Sequence, residues 1–131
     1  MPTTITSPAA SPAKQLTHFV TFYIKPLEVD TWLSAHRPVW DLCAKEPQCL
    51  YFDVFQDPDR LGKFRLVKIW HESHAWFEKE QLTKPYYETL WEKSKPMWRK
   101  EGEIQYWECF GEGCSFKEDF RGMGIEWARS G

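Results

Sequence analysis

Four histidines, His18, His36, His71 and His74, are the side chains of this 131-residue chain best placed to move protons near neutrality. An unperturbed imidazole titrates at about pH 6.5, so its neutral form can act as a base. The spacing of His36 is the most telling. It falls between Trp32 and Trp40 at i±4 intervals, on the apolar stripe of a helix. A polar ring there must find a hydrogen-bond partner or face a cavity. The two outcomes are a satisfied core histidine and a base beside a flat substrate. His71 and His74 flank Ser73 at a helix start, where the local field disfavours a protonated imidazole. His36 and His74 are therefore the catalytic candidates. His18 opens a strand and can reach a pocket mouth or simply face solvent, which makes it a binding candidate.

The chain has eight Trp, nine Phe and five Tyr, 17% aromatic in all. Each can bury about 150–250 Å², more apolar area than a core of this size requires. The surplus suits a Trp-rich core, a pocket for a flat ligand, or a subunit interface. Trp70, Trp76, Tyr86, Tyr87 and Trp91 gather around the second helical region, and Trp40 lies on the first. Trp40, Trp70, Tyr86 and Tyr87 are the remaining substrate-binding candidates. Tyrosine hydroxyls can donate to a developing enolate or phenolate, and aromatic faces can stack a polycyclic ligand. Arg37 and Arg65 are further groups able to hold an oxyanion.

Other chemistries lack support. Cys43, Cys49, Cys109 and Cys114 form no C-x-x-C pair, and His71 and His74 have no added ligand signature, so no metal site is expected. There is no G-x-G-x-x-G, no phosphate-binding P-loop and no G-x-S-x-G, so no cofactor is expected either. The net charge of −2 and scattered Lys and Arg argue against nucleic acid or an anionic membrane as partner. No apolar run approaches the roughly 20 residues needed to span a bilayer, and no secretory leader is visible. The expected setting is a reducing cytoplasm with free thiols.

The elements that must position these groups follow from periodicity. Residues 1–15, rich in Pro and small polar residues, read as a disordered arm. Residues 17–24 alternate as a strand, with His18, Val20, Phe22 and Ile24 on one face and Thr17, Phe19, Thr21 and Tyr23 on the other. Helical spacing covers 28–45, with Pro38 expected to kink it. Strands at 50–56 and 64–70 flank the turn Asp57-Pro58-Asp59 with Gly62. A helix follows over 73–82 with Ser73 as N-cap, and Pro85 starts another turn ending near Pro96 and Gly102. A last strand covers 103–108, and 109–131 form a C-terminal extension without clear assignment. The order β-α-β-β-α-β predicts an α+β, ferredoxin-like domain over 16–108 with a four-stranded antiparallel sheet. Its helix-free face also carries apolar residues, which predicts a homodimer.

Three segments carry a resemblance. HFVTFYIKP at 18–26 is similar to the opening strand of the antibiotic biosynthesis monooxygenase-like family. AKEPQCLYFDVFQDPDRLGKFRLVKIWHES at 44–73 resembles its signature hairpin, and TKPYYETL at 83–90 resembles the segment after it. The resemblance implies a dimeric α/β barrel. Members of the family include cofactor-free monooxygenases that oxidise polyphenolic anthrones to quinones; relatives cyclise polyketides or degrade haem. Many members carry a His four residues before the Pro of the third segment and another just after it. Here those places hold Gln81 and Tyr86.

Three functions remain open on the sequence. One is a cofactor-independent monooxygenase converting an aromatic polyketide such as an anthrone to a quinone in secondary metabolism, as in antibiotic biosynthesis. The second is a cofactor-free cyclase, isomerase or lyase on a similar small aromatic substrate. The third is a non-catalytic small-molecule-binding dimer.

Overall fold

The computed structural model describes residues 15–113 together with 115 and 117. The parts of the expected arm and extension at 1–14, 114, 116 and 118–131 lie outside the described residues.

β1 (Leu16–Ile24) is rich in β-branched and aromatic residues and ends before Pro26, which has no N–H to extend a ladder. A 3-10 turn (Pro26–Glu28) leads into α1 (Val29–Ala44). Pro38 sits inside α1, which continues on both sides of it. β2 (Cys49–Gln56) and β3 (Lys63–Trp70) form the antiparallel hairpin. α2 (His74–Trp76), a wider turn over Phe77–Gln81, α3 (Pro85–Ser94), a 3-10 turn (Lys95–Met97) and β4 (Trp98–Glu108) complete the order. The sheet runs β2-β3-β1-β4 and every neighbouring pair is antiparallel. This is the expected ferredoxin-like α+β fold.

Two elements differ from expectation. The helix expected over 73–82 makes only one α turn. Ser73 caps it, its Oγ accepting the Trp76 N–H at 3.1 Å. The backbone then widens into a π turn, closed by the Leu82 N–H donating to the Phe77 carbonyl at 2.9 Å. Gln81 ends that turn completely buried. β4 begins at Trp98 rather than at 103, so Gly102 lies inside a strand instead of closing a helix. A Cβ on Gly102 would sit 2.5 Å from the Thr21 carbonyl oxygen, and the β1–β4 register shifts just beyond Thr21. Glycine there admits a close strand approach that any side chain would block.

The hairpin turn follows its sequence. The Asp59 N–H donates to Asp57 Oδ1 at 2.8 Å. Gly62 adopts φ +89°, and its carbonyl accepts the Ile24 N–H at 2.7 Å, tying the turn to the end of β1.

Strand alternation sets two sheet faces. The helix-covered face carries the core of Val20, Phe22, Ile24, Phe64 and Leu66, which packs against Trp32 and Met97. A second cluster of Leu16, Trp70 and Phe77 lies at the far end of the same face. The opposite face carries Phe19, Val67, Ile69, Phe55 and Trp107, the last two 47% and 59% exposed. No helix among the described residues is long and apolar enough to cross a membrane.

Candidate active site

A cavity of about 40 Å³ lies between the helix-covered face and the helices. The sheet supplies His18, Val20, Phe22, Leu66, Lys68 and Ile104. α1 supplies His36, Val39, Trp40 and Cys43, and α3 supplies Tyr87, Leu90 and Trp91. Leu82 and Ile104, 37% and 56% exposed, are the most open members of this lining and mark its mouth. The volume holds a few waters, so a larger ligand enters only by moving these side chains.

Three polar groups stand out in this apolar slot. The first is His36, 1% exposed and packed against Trp32, Phe22 and Trp40. Its Nε2 lies 2.8 Å from Ser94 Oγ. The indole N–H groups of Trp32 and Trp98 reach the same oxygen at 3.1 and 2.8 Å. Indoles only donate, so Ser94 Oγ accepts both and its single proton is left for His36 Nε2. The imidazole is thereby fixed with its proton on Nδ1, which is buried and has no partner among the described residues. His36 offers the slot a donor and no lone pair. The expected role of His36 as a base conflicts with this arrangement, because the accepting nitrogen is already committed to Ser94.

The second group is His18, 4% exposed, stacked on Tyr106 and edge-on to Phe77. Among the described residues neither ring nitrogen has a partner. Burial, and next the charge of Lys68, push both imidazoles down to about 3, with His74 adding to the effect on His18. Both are therefore neutral at physiological pH, and His18 keeps a free lone pair.

The third group is Lys68, 5% exposed on the buried face of β3. Its Nζ lies 5.3 Å from the Phe52 ring centroid and 5.8 Å from that of Tyr87. Among the described residues no carboxylate lies within ion-pair distance of it. Burial pushes its ammonium pKa below the ordinary lysine value, opposed in part by the Cys43 and Cys49 thiols. Cation–π contact offsets only part of the cost of burying a charge.

The other candidates fall elsewhere. Trp40 and Tyr87 line the slot. The Tyr87 hydroxyl is 3.0 Å from Cys43 Sγ and accepts from Gln81 Nε2 at 3.1 Å. Trp70 is wholly buried in the second cluster, against Phe77 and Trp76, and does not reach the slot. Tyr86 points away from it and donates to Glu46 Oε2 at 2.7 Å. His74 sits outside, stacked on Tyr106 with Nε2 3.3 Å from Glu78. His71 and Arg37 are exposed, and Arg65 Nε donates to Thr21 Oγ1 on the opposite face. Among the described residues no group of three His, Cys, Asp or Glu side chains could hold a metal ion.

Lys68 and Ser94 escaped the sequence reading. Lys68 was nonetheless visible in principle. Alternation in the strand at 64–70 puts it on one face with Phe64, Leu66 and Trp70, so a charge was due on an apolar face. Ser94 carries no local signal, since its partners Trp32 and His36 lie 62 and 58 residues away.

Comparison with known proteins agrees with this fold. No protein-family model matches the chain. A protein of Pestalotiopsis microspora named "putative monooxygenase" is 27% identical over 79 residues, covering 60% of this chain and 66% of that protein. The match thus spans just under two thirds of that relative's length. A solved antibiotic biosynthesis monooxygenase superposes with a TM-score of 0.66 at 22% identity, over 72% of this chain and 97% of its own. Proteins of Caulobacter crescentus and Nitrosomonas europaea, each described as a "putative antibiotic biosynthesis monooxygenase", superpose with TM-scores of 0.66 and 0.65. They are 13% and 14% identical, and each match covers 74% of this chain and 91% of theirs. The chain has the fold of the antibiotic biosynthesis monooxygenase proteins.

Proposed function

We propose that this protein is a cofactor-independent monooxygenase that oxidises an acidic polyphenolic substrate of the anthrone type. One observation carries the reading. In a single apolar slot there converge a neutral imidazole with a free lone pair, a second with a fixed N–H, and a lysine, none of them with a partner for these groups among the described residues. That set removes a proton and holds the resulting anion.

The reaction needs no outside reductant. His18 accepts the acidic C–H proton of the substrate's methylene. A negative charge forming in the slot offsets the repulsion from Lys68 and raises the basicity of His18 as the proton moves. The carbanion gives one electron to dioxygen, and the two radicals combine into a carbon-bound peroxide. Loss of the second C–H proton and cleavage of the O–O bond leave a carbonyl. One oxygen atom stays in the quinone and the other departs as water. The protein supplies the base, the anion-holding groups and a dry setting.

An oxygen-electrode assay with an anthrone tests this. Uptake of one dioxygen per quinone formed, lost in His18→Gln, supports the reading. Uptake no faster than in buffer refutes it. Equal turnover without oxygen would instead indicate a cyclase or lyase using the same groups. A non-catalytic carrier using the same slot is the second reading, and it predicts binding without turnover. The apolar sheet face, with Phe55 and Trp107 exposed, supports assembly as a homodimer. Light scattering at micromolar concentration would give the dimer mass, and a clean monomer would rule it out.

A further inference from the structure

Resting on the reading above, we infer that the slot is an oxyanion-binding site selective for the ionised form of a phenolic or enolic ligand, with Lys68 as counter-ion and the His36 Nδ1–H as second donor. Among the described residues Lys68 has no carboxylate partner. A buried ammonium ordinarily pairs with a carboxylate, and an unpaired one lowers stability. Here the titratable groups facing it are His18 on β1, His36 and Cys43 on α1, Cys49 on β2 and Tyr87 on α3. None of these groups is a carboxylate, and no carboxylate of the described residues pairs with Lys68. Both imidazoles are neutral, and burial together with the neighbouring Cys43 holds the Tyr87 hydroxyl protonated. The negative charge that completes this set therefore comes from the ligand.

The second donor is as firmly placed. The His36 ring cannot flip without giving up the proton that Ser94 Oγ, occupied as acceptor by the Trp32 and Trp98 indoles, donates to its Nε2. A pre-oriented N–H beside an ammonium suits an oxygen atom carrying full charge better than a neutral hydroxyl. The surrounding Val20, Phe22, Val39, Leu66 and Leu90 suit an aromatic ring behind that oxygen. A phenol that binds gives up its O–H proton, to the Lys68 amine where that is neutral and otherwise to solvent. Either route ends in the same ammonium–phenolate pair.

The probe is 4-nitrophenol, whose phenolate has a visible band that the phenol lacks. With excess protein at a pH just below its own pKa, the band should grow, corresponding to a preference for the anion of about tenfold or more. Lys68→Met should abolish the gain, and His36→Gln should reduce it. Thermal melts by circular dichroism confirm that each variant is folded. Binding of the neutral phenol, no binding at millimolar probe, or an undiminished gain in folded Lys68→Met would each overturn the inference. Nitrophenolate binding that depends on Lys68, in a protein that consumes no oxygen with anthrones, would retain the anion site and discard the oxygenase.

Discussion

Two lysines sit close to the helices of this domain in opposite circumstances. Lys84 donates to Glu46 at 3.0 Å, and Glu46 also accepts from Tyr86, which in turn accepts from Gln81 Nε2 at 2.8 Å. Those charges and hydroxyls answer one another, and the network locks α3 to the end of α1. Lys68 is more deeply buried and has only rings and thiols around it. With Lys84 paired and Lys68 unpaired among the described residues, the second bears a stability cost. Strained or under-satisfied groups of that kind concentrate where ligands bind. The contrast separates a closed polar network from the open one on which the proposed function rests.

The largest expected effect lies on the satisfied side of the slot itself. Ser94→Ala leaves two indole N–H groups and His36 Nε2 without their common partner. Each buried orphan costs about 1–3 kcal/mol, so a loss of about 3 kcal/mol or more is expected in urea denaturation. A loss under about 1 kcal/mol would mean that the hub contributes little.

Lys68→Met should move stability the other way. Removing an uncompensated buried charge while keeping the volume is expected to stabilise by about 1–3 kcal/mol. Destabilisation would show that Lys68 serves the fold rather than a ligand.

Acid should expose the two neutral imidazoles. Their folded pKa, about 3, lies below the ordinary value of 6.5. As pH falls below that ordinary value, the unfolded chain takes up protons that the folded one refuses. Stability is therefore lost on acidification, by up to about 1.4 kcal/mol per pH unit for each histidine. Urea denaturation at several pH values checks this, and His18→Gln should remove about half of the histidine contribution. An identical pH slope in that variant would show that His18 is not held neutral.

The smallest effect belongs to the closed network. Glu46→Gln keeps the shape but weakens the bonds to Tyr86 and Lys84, and with its side chain 15% exposed the expected loss is about 1 kcal/mol. Nitrophenolate binding should be unchanged, since Glu46 does not line the slot.

The fold was largely legible because its periodicities are local: alternation at 17–24 and 64–70, helical spacing at 28–45, and Asp57-Pro58-Asp59 at the turn. The π turn and the early start of β4 were not, because both depend on tertiary approach, Gly102 against the Thr21 carbonyl above all. In the site, the spacing of Trp32, His36 and Trp40 correctly marked a buried imidazole. Its hydrogen-bonding state was hidden, since Ser94 comes from a distant helix. Trp70 and Tyr86 look equivalent to Tyr87 in sequence, yet side-chain direction sends them into a separate cluster and a surface network.

In the proposal, Lys68 is a buried cation whose counter-charge is supplied by a ligand anion. A pH titration of its side-chain Cε and Nζ resonances by NMR, with and without 4-nitrophenol, tests it most directly. The expected pKa lies below the ordinary lysine value in the free protein and rises when the phenolate binds, because a ligand that prefers the ammonium must stabilise it in return. An ordinary lysine pKa that the probe leaves unmoved would contradict it.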